Sequence, residues 1–380
     1  AGFGAGGSGV AATFSNIENV NVTVASFNTA GDLIDNGAGD TVMTGVDNIV
    51  VTGDVDAGAA ISLNAAASGA TSIDTTGLTK AAGAATTNAI TTAAASTTVL
   101  AGELNDNLTL SAAVDAADVV NLGSGTNTIA NAGNGADIIT QDATGAGTLS
   151  VTVNDDDAVT ITATTGTVTV LNGGTAAKTI AGGYSTVGLN VTTDAGADTI
   201  TTGSGSDLIT SNAGDDTIIT GDGVDTVTGG GGDDTTTLGG GADVYIQGAN
   251  SSTVVSAYTD TTANNSINAT DILTFANGLD IITDFTAGAG GDDLQTGNAG
   301  LATSGLGAST AAGGFATGTT FFLSGNWNET ATTFTVTADG AGSDTLIATG
   351  LNAATVATQA TWILLQGVDS DNLTAANFTA

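Results

Sequence analysis

Aspartate stands at positions 198, 207, 216, 225, 234 and 243, one every nine residues. Glycine precedes each of them by two residues, at 196, 205, 214, 223, 232 and 241. Aspartate is a short, hard oxygen ligand, and glycine lets a turn adopt dihedrals that aim backbone carbonyls inward. Carboxylates combined with carbonyls in this way bind hard cations, Ca2+ above all. The candidate cation-site residues are therefore Asp198, Asp207, Asp216, Asp225, Asp234 and Asp243, with Gly196, Gly205, Gly214, Gly223, Gly232 and Gly241 shaping the turns. Two residues after each aspartate comes an apolar position, filled by Ile200, Ile209, Ile218 and Val227 before it departs to Thr236 and Tyr245. Thr236 weakens the expected core, and Tyr245 suggests a cap or an exit.

The rest of the composition narrows the chemistry further. The chain of 380 residues holds 38 acidic side chains, of which only Glu18, Glu103 and Glu329 are glutamate. Against them stand two basic residues, Lys80 and Lys178, and no histidine, cysteine or proline, for a formal net charge of -36. Imidazole bases, thiolate nucleophiles, disulfides and iron-sulfur ligation are thereby excluded. Phosphate neutralisation is excluded too, so no nucleic-acid partner is expected, and anionic lipid would repel the chain. No run of 18 apolar residues occurs, and no membrane insertion is expected. No signal peptide stands at the start, and Ala1 replaces an initiating methionine, as in a mature product or a fragment.

The elements that must position these ligands are short strands. In each nine-residue unit a six-residue glycine-rich turn is followed by three strand residues, so two units make one coil. Asp198, Asp216 and Asp234 then line one edge of the stack, and Asp207, Asp225 and Asp243 the other. A cation between neighbouring turns would take two aspartates plus carbonyls, which allows on the order of four sites. Without it the stacked carboxylates repel, and the narrow core cannot offset chain entropy, so folding should be coupled to the cation.

Upstream, Asp106-Asn107-Leu108, Asp118-Val119-Val120, Asn127-Thr128-Ile129 and Asp137-Ile138-Ile139 repeat an Asp/Asn-x-apolar triplet. Asp118, Asn127 and Asp137 are added to the candidate ligands on that ground. Alternation of Thr with Val, Ile or Leu over 148–192 predicts period-two strands. The Ala/Thr/Ser stretch from 57 to 98, anchored by Ile61, Leu63, Ile73, Leu78 and Ile90, suits stacked coils, with a helical insertion over 81–96 left open.

The units TDAGADTIT, TGSGSDLIT, SNAGDDTII, TGDGVDTVT, GGGGDDTTT and LGGGADVYI resemble the GGxGxDxUx repeat of RTX calcium-binding proteins. Residues 280–294, DIITDFTAGAGGDDL, are similar to the segment that follows the repeats in that family. The resemblance implies a further cation at Asp284, Asp292 and Asp293, with Phe285 and Leu294 packing over the coils; an ordinary strand-turn-strand is the alternative. The end of the chain, Trp362–Val368 with Leu373 and Asn377-Phe378, is similar to the C-terminal region that a type I secretion apparatus reads. A buried terminal strand explains that apolar run equally well.

The expected fold class is all-β: a parallel β-roll or β-solenoid with Ca2+ bound in nonapeptide turns, extended by further β-rich coils and a C-terminal β cap. The expected domains are a β-rich solenoid-like region over 1–100, imperfect repeats and strands over 101–192, the nonapeptide roll over 193–246, and a cap and export-signal-like region over 247–380. RTX repeats do not name an activity. The resemblance, joined to the Ala/Thr/Gly/Asp/Asn-rich composition, implies a secreted, non-enzymatic structural protein of a bacterial cell surface. It would be exported by type I secretion, bind several Ca2+ ions, and assemble with copies of itself into an S-layer or filament. A cell-surface polysaccharide is a further candidate partner. The alternatives are an RTX adhesin or cell-association module, or the calcium-binding export tail of a secreted protease or lipase.

Overall fold

In a computed structural model the chain is almost entirely β. The structure describes residues 13–15, 18–27, 31–34, 42–44, 46–55, 60–64, 70–80, 87–92, 96–110, 117–131, 135–141, 147–153, 158–163, 167–172, 177–183, 185–247, 255–259, 261, 267–275, 279–296, 321–349 and 361–379. The chain divides into two units, Ala1–Asn190 and Val191–Ala380.

In the first unit Thr13–Ser15 and Val42–Thr44 pair in parallel as a small sheet of their own, and the other strands alternate between two parallel sheets. One sheet runs through Asn19–Phe27, Asn48–Val55, Ser72–Lys80, Thr98–Leu100, Val119–Leu122, Asp137–Gln141, Ala158–Ala163 and Thr179–Ala181. The other runs through Gly31–Ile34, Ala60–Asn64, Thr87–Thr91, Asn105–Thr109, Thr126–Asn131, Thr148–Val153 and Thr167–Asn172. Parallel neighbours need a long return connection, and here the strand of the opposite sheet supplies it. The unit is thus a β-solenoid. Of the stretch 81–96 on which a helix was left open, residues 87–91 form a strand, and 81–86 and 93–95 lie outside the described residues.

Registers explain the core. Ile49, Ile73, Val99, Val120, Ile139 and Ile161 are successive partners on the first sheet. Leu63, Ile90, Leu108, Ile129, Val151 and Val170 are successive partners on the second. All are buried. Each contributes about 1.5–3 kcal/mol relative to an exposed position, and β-branched side chains stack well on a pleated surface.

The second unit begins with three-residue strands whose middle residue is buried. Thr199–Thr201, Thr217–Ile219, Thr235–Thr237 and Asp280–Ile282 form one parallel sheet. Leu208–Thr210, Thr226–Thr228, Val244–Ile246, Asp293–Gln295 and Phe378–Thr379 form the other. Tyr245, expected to cap or leave the roll, is buried between Val227 and Leu294. Room exists because position 229 is glycine: a Cβ there would come 2.6 Å from the Tyr245 hydroxyl. Thr236 sits between Ile218 and Ile282, and its buried hydroxyl makes no hydrogen bond.

The first of these sheets continues into an antiparallel cap. Thr361–Leu365 pairs in parallel with Asp280–Ile282, and Asp344–Thr349, Phe321–Asn328, Thr333–Val336, Ile272–Phe275 and Val255–Thr259 follow in antiparallel order. The strands around Phe334–Val336 and Leu346–Ile347 do not pair as a hairpin; each flanks Phe321–Asn328. Gly325 permits this, since a Cβ there would strike the Phe334 ring. Phe275 meets Trp327 and Trp362 edge-on at 5.8 and 6.0 Å within the cap core. Among the described residues no helix is long and apolar enough to cross a membrane.

Candidate metal centre

Each nonapeptide turn ends in its aspartate, and the strand register places that aspartate directly beneath the one 18 residues on. The main-chain amide of one aspartate donates to Oδ1 of the next. On one edge Asp198 donates to Asp216 at 2.7 Å, Asp216 to Asp234 at 3.0 Å and Asp234 to Asp280 at 3.1 Å. On the other Asp207 donates to Asp225 and Asp225 to Asp243, both at 2.8 Å, and Asp243 to Asp292 at 3.0 Å. The result is two columns of four buried carboxylates. Asp280 was missed by sequence reasoning, although Asp280-Ile281-Ile282 repeats the Asp-x-apolar triplet.

One oxygen of every rung above Asp198 and Asp207 is thus consumed by a backbone amide. The second oxygens of Asp216, Asp225, Asp234 and Asp243 are buried and accept no hydrogen bond. The Ser211 and Thr220 hydroxyls lie close enough to pull the Asp216 and Asp225 carboxyls down, but in the geometry their protons, like the nearby amides, go to backbone carbonyls. The Gly214 and Gly223 amides donate to the Gly231 and Gly240 carbonyls at 2.7 Å. The hydroxyls at the first position of the unit also turn to carbonyls 18 residues on: Thr193 to Ser211 at 3.0 Å, Thr202 to Thr220 at 2.9 Å, Ser211 to Gly229 and Thr220 to Leu238. This hydroxyl ladder was also missed; its signal is the run Thr193, Thr202, Ser211, Thr220 at the same nine-residue spacing.

The turns stack too closely for side chains. Gly223 and Gly232 have φ of 153° and 133°, and a Cβ on either would collide with the carbonyl oxygen of Gly205 or Gly214 in the neighbouring turn. Only glycine meets both demands at little cost.

Burial without a counter-charge raises the carboxyls. Asp234 is pushed up to about 7 by burial, with Asp216, Asp215 and Asp233 adding repulsion and the Asp216 amide pulling it down. Asp216 and Asp243 rise to about 6, again chiefly through burial, and Asp225 rises for the same reason. Buried acceptors with no donor, in turns lined by backbone carbonyls, fit a hard cation where the acids are ionised. Among the described residues no three acidic side chains converge. Carboxylates alone therefore do not complete a coordination sphere, and backbone carbonyls must supply the rest.

The remaining candidates fall in three places. Asp118 and Asp137 share a column in the first unit, where the Asp118 amide donates to Asp137 Oδ1 at 2.8 Å and the Thr97 amide to Asp118 Oδ1 at 2.6 Å. Burial lifts Asp118 to about 6. Asn127 stands in the other column beside Asp106, accepting the Asp106 amide at 3.0 Å. Asp284 and Asp292 close the roll: Asp284 accepts the Leu238 and Gly239 amides, each at 2.7 Å, and Asp292 accepts those of Asp243 and Thr286. Asp293 accepts the Thr379 hydroxyl through Oδ2, while its Oδ1 is buried without a hydrogen bond.

The family of RTX calcium-binding nonapeptide repeats, taken in four copies, matches residues 192–227 and 210–245. No curated protein matches the chain. The chain carries RTX calcium-binding nonapeptide repeats folded as a parallel β-roll, and these repeats imply Ca2+ binding and the β-roll of a secreted protein.

Proposed function

We propose that this chain is a secreted structural protein of a bacterial cell surface, exported by type I secretion, which folds on Ca2+ and assembles with copies of itself into an S-layer or filament. The observation that carries the reading is that the chain holds, besides the calcium roll of its second unit, a first unit built of stacked parallel coils. Stacked coils give a rigid, repetitive frame suited to assembly, and the composition offers no histidine or cysteine for the commonest catalytic constellations. No enzymatic activity is assigned. About four ions occupy the intervals 198/216, 216/234, 207/225 and 225/243, where turn aspartates face each other. With a net charge of -36, lateral contacts between subunits require cation bridging, because like-charged surfaces repel.

Negative-stain microscopy tests the assembly. In millimolar Ca2+ regular sheets or filaments should appear, and a chelator should disperse them. A strictly monomeric protein at high concentration in Ca2+ overturns the reading; measured affinity for a glycan would then favour the adhesin.

A further inference from the structure

The first unit carries an interruption in its apolar columns. Along the second sheet Ile61 pairs with Asn88, Asn88 with Asp106, and Asn127 with Leu149. Three buried polar side chains, Asn88, Asp106 and Asn127, therefore stand stacked in an otherwise apolar column. Burying them has a cost that must be offset by partners.

The two intervals of this stack are unlike. Between Asp106 and Asn127 the polar atoms are satisfied: Asn127 Oδ1 accepts the Asp106 amide at 3.0 Å, and Asn127 Nδ2 donates to the Gly123 carbonyl at 3.2 Å. The amide nitrogen thus donates to a carbonyl of its own turn. Between Asn88 and Asp106 the atoms are not satisfied. Asn88 Nδ2 donates to Asp106 Oδ1 at 2.9 Å and to Thr75 Oγ1 at 3.0 Å. That leaves Asn88 Oδ1 and Asp106 Oδ2 buried on adjacent rungs, neither accepting a hydrogen bond. Two acceptors on adjacent rungs with no donor are a place where a bound cation would offset the burial.

Backbone oxygens stack against the turn that leads into Asp106. The turn from Ala101 to Asp106 stacks on Thr75 and Thr76, where a Cβ on Gly102 would come 3.4 and 3.2 Å from their carbonyl oxygens. The next turn has the close approach of the calcium repeats: a Cβ on Gly123 or Gly125 would collide with the Gly102 or Leu104 carbonyl, as one on Gly221 or Gly223 would with Gly203 or Gly205.

We propose that Asp106 Oδ2 and Asn88 Oδ1, with the carbonyls of Thr75 and Thr76, form a further Ca2+ site in the first unit, outside the nonapeptide repeats. It holds one carboxylate where the repeat intervals hold two, so it binds in the millimolar class and fills after them. It does not depend on the assembly reading.

The test is calcium equilibrium dialysis on the full chain, with circular dichroism on the same samples. Wild type should show a tight class of ions and a weaker one. Asp106→Asn should lose one ion per chain from the weaker class and leave the tight class intact. Asn88→Asp, which adds a second carboxylate, should tighten that ion by about tenfold. A folded Asp106→Asn protein whose isotherm superimposes on wild type overturns the proposal. If that variant does not fold, an Asn88→Asp isotherm identical to wild type overturns it instead. Absence of the tight class from wild type would defeat the nonapeptide reading and leave this site to be judged by the variants.

Discussion

At the scale of single residues, the repeat separates two kinds of aspartate. Asp216 is a rung, giving one oxygen to the Asp198 amide and keeping the other unbonded in the interior. Asp222 is exposed and forms no part of either column. Asp216→Asn should therefore shift the calcium midpoint of folding by at least about tenfold, whereas Asp222→Asn should move it by less than about twofold; a calcium titration followed by circular dichroism reads both. Gly223→Ala forces a side chain into a left-handed dihedral against a carbonyl and should cost at least about 2 kcal/mol in Ca2+-saturated unfolding. The raised carboxyls set a pH dependence with a definite sign. The carboxyls of Asp216, Asp234 and Asp243 ionise at about 6 to 7 in the fold against 3.8 ordinarily, so the fold without calcium favours the neutral acid. That stability is complete below about pH 4 and lost as pH rises through 6 to 7. In a chelator, strand content should therefore be greater at pH 4 than at pH 7.5, as ellipticity will show. Loss of structure on acidification would contradict the buried-rung geometry.

At the scale of elements, the roll is closed by chain that returns from far away. Asn377 accepts the Gly288 amide at 2.9 Å and donates to the Gly288 and Asp292 carbonyls at 3.1 and 2.8 Å. It thereby holds the loop whose Asp292 tops one column. Asn377→Ala should cost about 2 kcal/mol and weaken calcium-dependent folding, measurable as a lowered Tm in Ca2+. The three-residue strands were legible because Asp-x-Ile recurs in register with glycine turns. The cap strands were legible only as apolar runs. Their order was not, because which strand lies beside Phe321–Asn328 depends on Gly325 yielding space to Phe334, a contact no local pattern records.

At the scale of the molecule, calcium dependence should be uneven. The roll sets two unbroken columns of buried carboxylate beside single Ile, Val, Thr or Tyr positions, whereas the longer strands of the first unit bury several Ile, Leu or Val side chains each, as Leu149, Val151 and Val153 show. Chelation should strip hydrogen-exchange protection from 193–246 while strands such as Thr148–Val153 and Ala158–Ala163 keep theirs. Uniform loss across both units would show that the first also needs calcium as its frame. The charge of -36 likewise divides: part of it lies on the surface, and part lies in buried rungs that a bound cation would neutralise.

By itself the sequence determined the chemistry and the coil. With hard oxygens abundant and histidine, cysteine and arginine absent, cation binding was the chemistry that the repeated aspartates and their glycine turns favoured, and a nine-residue period dictates turn and strand alike because both are local. Only the tertiary structure decided what stands at the ends and in the gaps. Asp280 joins a column 46 residues beyond Asp234, and Asn88 reaches Asp106 across 18 residues of different composition. Tyr245 turns inward because Gly229 leaves it room. The first of these meetings depends on a segment of unequal length returning to the stack, which leaves no period to read; the other two depend on which side chain has room or a partner in the interior, which spacing alone does not record.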